Sequence, residues 1–293
     1  MHSPFLGNSR TMGDMDHHIE DHDRGLAFDL ATLGRRRLLT LMGGVGLAAL
    51  AGCGTDHTGH TAAASSTTTT TTTARSQAAA AAAADCGAET PQETGGPYPA
   101  DGTNGPNVLT ESGIVRSDIR SSFGSSTTTA KGVPLTVELS IVDFAKSCAA
   151  MPGAAIYLWH CDINGSYSMY AKELTNENYL RGVQEADAQG KVKFTSIFPA
   201  AYSGRWPHIH FEIYPSLAEA TKAGDPLKTT QLALPKDICT TVYGTEGYSQ
   251  SVRNLAQTSL ERDNVFSDGY ETQLAAVTGD VSNGYAATLT VRV

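Results

Sequence analysis

An all-β sandwich is the fold the sequence predicts. Apolar and polar residues alternate at period two in several short stretches, turn residues punctuate them, and helical periodicity is scarce between residues 108 and 230. Leu135-Thr-Val-Glu-Leu-Ser-Ile-Val142 alternates as a half-buried strand should. Pro152-Gly153 marks a turn, and Ala155-Ile-Tyr-Leu-Trp-His160 follows as a second strand. Gln189-Gly190 introduces a third, Lys191 to Phe198; His208 to Tyr214 is a fourth, Thr229 to Leu234 a fifth, and Ala286 to Val293 the last. Residues 236–275 read as short helices and loops that cover one edge of the sandwich.

The chain is 293 residues long, yet its first part cannot build a core. Arg35, Arg36 and Arg37 precede an apolar run, Leu38 to Ala51, that is too short for a bilayer span of about 20 residues. These are the proportions of a signal segment. The paired arginines resemble a twin-arginine export signal, and Leu50-Ala51-Gly52-Cys53 resembles a lipobox whose Cys53 would carry lipid. Residues 1–53 are thus expected to direct export to the cell surface or beyond. Residues 54–85, rich in Thr and Ala, are expected to form a disordered tether, and residues 86–293 the single folded domain. Any membrane contact would run through Cys53. His17, His18 and His22 belong to the solvated leader, outside the chemistry. A formal net charge of −9 argues against a nucleic-acid partner, because an acidic surface repels phosphate.

Setting Cys53 aside, Cys86, Cys148, Cys161 and Cys239 remain. In an oxidising compartment these allow two disulfides, with three pairings open. If residues 135–144 and 155–161 formed a hairpin, Cys148 would lie at its turn and Cys161 at its far end. A rise of about 3.3 Å per residue would then keep the two apart. The other pairings stay open. No C-x-x-C spacing suggests a structural zinc.

Of the nine histidines only His160, His208 and His210 lie in the domain, whereas all eleven tyrosines do. His208-Ile-His210 lies in a strand, so both imidazoles project from the same face as two arms of a metal site. Tyr202 stands on the loop leading into that strand, and Tyr167 closes Trp159-His-Cys-Asp-Ile-Asn-Gly-Ser-Tyr167 just after another. No Asp or Glu has the spacing of a ferrous facial triad. Two imidazoles with two phenols suit a hard trivalent cation, which can deprotonate a phenol whose ordinary pKa is near 10. Ferric iron is the natural candidate.

Three segments carry a resemblance: Glu93-Thr-Gly-Gly-Pro-Tyr98, Gly153 to Tyr167, and Phe194 to Phe211 with its R-x-x-H-x-H ending. Together they resemble the intradiol ring-cleavage dioxygenases, which include the catechol 1,2- and protocatechuate 3,4-dioxygenases, over about residues 89–293. Within that family the W-H-C-D element is similar to the exported branch, and the N-terminal helical dimerisation segment of catechol 1,2-dioxygenases has no counterpart. The resemblance implies a β-sandwich of the intradiol dioxygenase type and a non-haem Fe(III) cofactor held by Tyr167, Tyr202, His208 and His210. It also implies cleavage of catechols between the two hydroxylated carbons, with both atoms of O2 entering a muconate-type diacid. Tyr202 would leave the metal and take a catechol proton. Arg205 would stabilise the anionic substrate, Gln231 would assist it, and Thr94, Gly96 and Pro97 would line the substrate pocket. Tyr170 competes with Tyr167 for the first phenolate position and is read, with Tyr157 and Tyr214, as a packing residue. His160 is read as structural. The oligomeric state is left open, a homodimer being one option. The competing functions are a catalytically silent exported sandwich that binds aromatic ligands, and a copper or zinc site built on the same histidines.

Overall fold

A computed structural model describes residues 86–293, and the expected export signal, the expected tether and Cys53 lie outside them. Nine strands form two sheets: β1 (Pro134–Asp143), β2 (Ala149–Ala150), β3 (Ala155–Trp159), β4 (Arg181–Glu185), β5 (Lys191–Ile197), β6 (His208–Tyr214), β7 (Lys228–Ala233), β8 (Ala276–Asp280) and β9 (Gly284–Arg292). The first sheet has the order β2-β1-β9-β8, with β5 also paired to β1. The pairing of β1 with β9 is parallel, Leu135 opposite Tyr285, and the rest of the sheet is antiparallel. The second sheet, β4-β3-β6-β7, is antiparallel throughout.

Leu135, Val137, Leu139 and Ile141 of β1 face inward at period two and pack with Ile156, Leu158, Ile209, Phe211, Ile213 and Leu232 of the second sheet. That is the sandwich core, as the alternation predicts. Three short helices follow, α1 (Leu217–Ala220), α2 (Lys236–Tyr243) and α3 (Ser249–Leu255). Cys239, Val242 and Tyr243 of α2, Tyr248 before α3 and Leu255 within it belong to the same core. The segment returns to pair beside β7, where Ala233 N donates to Gln273 O (2.9 Å) and Ala275 N donates to Ala233 O (3.0 Å). Residues 236–275 therefore do cover one edge, and the edge they cover is β7. Among the described residues no helix is long and apolar enough to cross a membrane.

Strands β3, β6 and β7 are buried along their whole length. One face of each meets the core. The other is covered by residues 86–113 and 160–180, which run over it as irregular chain.

Two expectations need correction. β1 and β3 do not form a hairpin; they lie in different sheets, and β1 turns instead into β2, with Val142 opposite Ala150. Ser147 and Cys148 take left-handed backbone at that turn (φ 55° and 57°). The second correction concerns the disulfides, of which one rather than two forms among the described residues. Cys148 is bonded to Cys86, with Cα atoms 5.8 Å apart, while Cys161 and Cys239 are buried thiols. Cys161 donates to Ala200 O and Cys239 packs in the core, so each is sequestered without a partner sulfur.

The disulfide closes a span of 62 residues, which by the chain-entropy argument contributes about 4 kcal/mol through the unfolded state. Cys148→Ser should lower the thermal unfolding midpoint by several degrees, measured by circular dichroism under non-reducing conditions.

Candidate metal centre

The face of the second sheet that turns away from the core is where the chemistry collects. Antiparallel register puts Trp159 opposite His210 and His210 opposite Gln231, so these three side chains form a row. The Trp159 and His210 rings stack 5.1 Å apart at 5°. A second row runs Tyr157, Glu212, Thr229. Such a face is ordinarily solvated; here it is buried.

His208 Nδ1 donates to the carbonyl of Trp206, which leaves a lone pair on Nε2. That Nε2 stands 3.0 Å from His210 Nε2 and 3.1 Å from the Tyr202 hydroxyl. The Tyr167 ring lies 6.1 Å from those of both Tyr202 and His210. Its hydroxyl is buried and lacks a hydrogen-bond partner. Two imidazoles and two phenols thus converge with one lone pair facing two neighbours and one hydroxyl unmatched. A cation among them would use all four, so the donor set fits a metal. Among the described residues no three His, Cys, Asp or Glu side chains form a metal-binding group, so the phenols are essential to the set.

The electrostatics agree. Burial, with Arg205 adding to it, holds His208 neutral, and burial with His208 does the same for His210. Burial and the neighbouring Tyr202 push the Tyr167 phenol up, so only a strongly charged ion would ionise it. Neutral imidazoles are the form that ligates.

Local sequence explains how Tyr167 arrives there. After β3, Asp162 Oδ1 accepts from Asn164 N (2.8 Å) and Ser166 N (3.0 Å), folding a tight loop. Gly165 sits at φ 83°, and a Cβ there would stand 3.0 Å from Tyr202 Cβ. The glycine of the W-x-x-x-x-x-G-x-Y element therefore lets the two tyrosine loops meet.

Arg205 is buried beside the donors. Its Nε donates to Asp263 Oδ2 (3.0 Å) and its Nη2 to Gln231 Oε1 (2.7 Å). Asp263 also accepts from Trp206 N (2.7 Å) and Val265 N (2.9 Å). Gln231 Nε2 in turn donates to Thr94 O (2.9 Å). A Cβ on Gly96, at φ 70°, would come within 3.2 Å of His210 Cε1, so only glycine lets this loop lie flat over the site. Pro97 continues the loop, its carbonyl accepting from Asn104 Nδ2.

The structure thus brings together all nine residues singled out in the sequence: Tyr167, Tyr202, His208, His210, Arg205, Gln231, Thr94, Gly96 and Pro97. Tyr170 stays outside the donor set, its hydroxyl accepting from Ala100 N (2.9 Å) and donating to Asn104 O (2.8 Å). Tyr157 donates to Pro99 O and Tyr214 to Glu212. His160 is spent on Cys161 O and Ser196 Oγ, and burial lowers it to about 4. Asp263 and Arg181 escaped the sequence reading. Each lies far along the chain from what it binds, and neither stands in a recognisable spacing.

Residues 104–238 match a family model described as Dioxygenase. Among solved structures the chain is similar to an intradiol ring-cleavage dioxygenase from Tetranychus urticae, at 25% identity over 70% of this chain and 94% of that one, with a TM-score of 0.55. It is also similar to the dioxygenase domain of a dioxygenase carbohydrate-binding protein fusion from Streptomyces sp. SirexAA-E (23%, 70% and 98%, 0.44). A third match is catechol 1,2-dioxygenase from Pseudomonas arvilla C-1 (19%, 74% and 66%, 0.44). The fold is that of the ring-cleaving dioxygenases. The family match and this fold make the chain similar to the intradiol ring-cleavage dioxygenases.

Glu93, at the start of the pocket loop, is raised to about 7 by burial and by Asp268, partly offset by Arg205. An acid whose folded pKa is raised contributes stability that is complete below about pH 4.5 and is lost as pH climbs through 7. Chemical denaturation between pH 4.5 and 7.5 should show stability falling with pH across this window, and Glu93→Gln should flatten the slope.

Proposed function

We propose that the protein is a non-haem ferric dioxygenase that opens catechol rings between the two hydroxylated carbons. The observation that carries this reading is the convergence of Tyr167, Tyr202, His208 and His210 on one buried point beneath the Gly96 loop. His208 and His210 would ligate through Nε2, the first fixed in that tautomer by the Trp206 carbonyl. Tyr167 would be the permanent phenolate. A bound ferric ion supplies the Lewis acidity that ionises the phenols and the redox chemistry toward dioxygen.

The chain's own residues do the rest. Tyr202, half-buried and within reach of His208, accepts a proton from a substrate hydroxyl at its phenolic oxygen. Arg205 is held by Asp263 and Gln231, so its permanent charge can face the negative charge that grows on the substrate without having to reorient. Gly96, without a Cβ, lets the Gly96-Pro97 loop lie against His210 beside the donor set, where it would border a bound ring. Catechol plus O2 contains all the atoms of the muconate-type diacid, so no external reductant is required. The arginine pair and lipobox of residues 35–53 support export of the enzyme, with Cys53 as its anchor.

Ferric-loaded protein should be red-brown, with a broad visible phenolate-to-iron band that shifts when catechol is added. A colourless protein with one equivalent of iron would contradict the reading. Tyr167→Phe should bleach much of that band and Tyr170→Phe should leave it nearly intact; the reverse would reassign the ligand.

A further inference from the structure

Arg181 opens β4 and is 1% exposed. It stands opposite Trp159, so it extends the row that runs through His210 to Gln231. A guanidinium has five N–H donors and no acceptor. Nε donates to Ser168 Oγ (3.0 Å), Nη1 to Pro99 O (3.0 Å) and Tyr157 Oη (3.1 Å), and Nη2 to Tyr98 O (3.0 Å) and Ser168 O (2.9 Å). All five bonds end on neutral oxygens and none on a carboxylate. Desolvating a cation without an anionic partner is expensive, so a lone buried arginine needs a reason.

The partners supply one. Ser168 follows Tyr167 directly, and Tyr98 and Pro99 follow the Gly96-Pro97 loop. One planar fork therefore joins the Tyr167 loop to the pocket loop, and through Tyr157 both are joined to β3. Lysine has neither the donors nor the plane to do this. Arg116 is a natural contrast. It too donates to backbone carbonyls, those of Ser121, Asn178 and Arg181, and lies over Phe123, but these contacts reach neither loop.

Resting on the ferric reading above, we propose that Arg181 is the positioning residue of the metal centre. It locks Tyr167 and the Gly96-Pro97 loop into one unit and sets a permanent positive charge on the face that becomes anionic when the phenols ionise.

The test compares wild type, Arg181→Lys, Arg181→Gln and Arg116→Gln. The readouts are the ferric dissociation constant by chelator competition, the visible band, and thermal unfolding of the iron-free proteins. Arg181→Gln should bind ferric ion at least tenfold more weakly with a displaced band, and Arg181→Lys should lose less. Arg116→Gln should lose thermal stability while keeping wild-type affinity and band. A folded Arg181→Gln with wild-type affinity and band would overturn the proposal. Should both Arg181 variants fail to fold, Ser168→Ala decides, since it removes the Nε acceptor, together with that hydroxyl's bond to Tyr179 O, and leaves the guanidinium in place: weaker ferric binding supports the role and unchanged binding overturns it. Wild type that takes up no ferric ion would overturn the ferric reading and this proposal with it, and is recognised before any variant is compared.

Discussion

A strand buried on both faces must meet two different environments at period two, and β6 is such a strand. Ile209, Phe211 and Ile213 point into the sandwich core, while His208, His210, Glu212 and Tyr214 point the other way. The apolar set holds β6 between β3 and β7. That anchoring keeps the two imidazoles in place on the second face. A buried polar face is stable only if its groups find partners. Much of the irregular chain that covers it, from residue 86 to 113 and from 160 to 180, supplies them.

Charge is handled in two ways on this face. Arg205 has a carboxylate, Asp263, that also gathers the amides of Trp206 and Val265. Removing one member of such a pair typically costs about 3–5 kcal/mol, because the other charge is left alone in a dry site. Arg181 instead spends its five donors on neutral oxygens. One cation is therefore neutralised where it meets the pocket, and the other keeps its net charge next to the Tyr167 loop. Both arrangements fix side chains before any ligand arrives, which is the condition for electrostatic stabilisation without reorganisation.

Much of this was legible in the sequence because strand periodicity survives in the strands that have one wet face. β1 and β5 alternate clearly, and the expected spans match the observed ones to within a residue or two. Strand β4 was missed because Arg181-Gly-Val-Gln-Glu185 does not alternate: its arginine is buried for its bonds and its glycine for the close approach of Ile119. β8 was missed because Ala-Val-Thr-Gly-Asp is an exposed edge that carries little apolar signal. Which strands pair could not be read at all. Period two reports a face and says nothing about the neighbour, so β1 and β3 looked like a hairpin although they lie in separate sheets. The site residues emerged because Tyr167, Tyr202, His208 and His210 sit in short motifs. Asp263 and Arg181 act across 58 and 13 or more residues through side-chain geometry, which spacing does not encode.

In the proposed reaction, one buried Tyr-Tyr-His-His centre, walled by Arg205 and the Gly96 loop, opens catechol with dioxygen. Mass spectrometry of the product formed from catechol under 18O2 tests it most directly. The expected result is consumption of one O2 per catechol and a six-carbon diacid carrying two heavy oxygens. A product with one heavy oxygen, a semialdehyde from cleavage beside the diol, or no oxygen uptake by iron-loaded protein would contradict it.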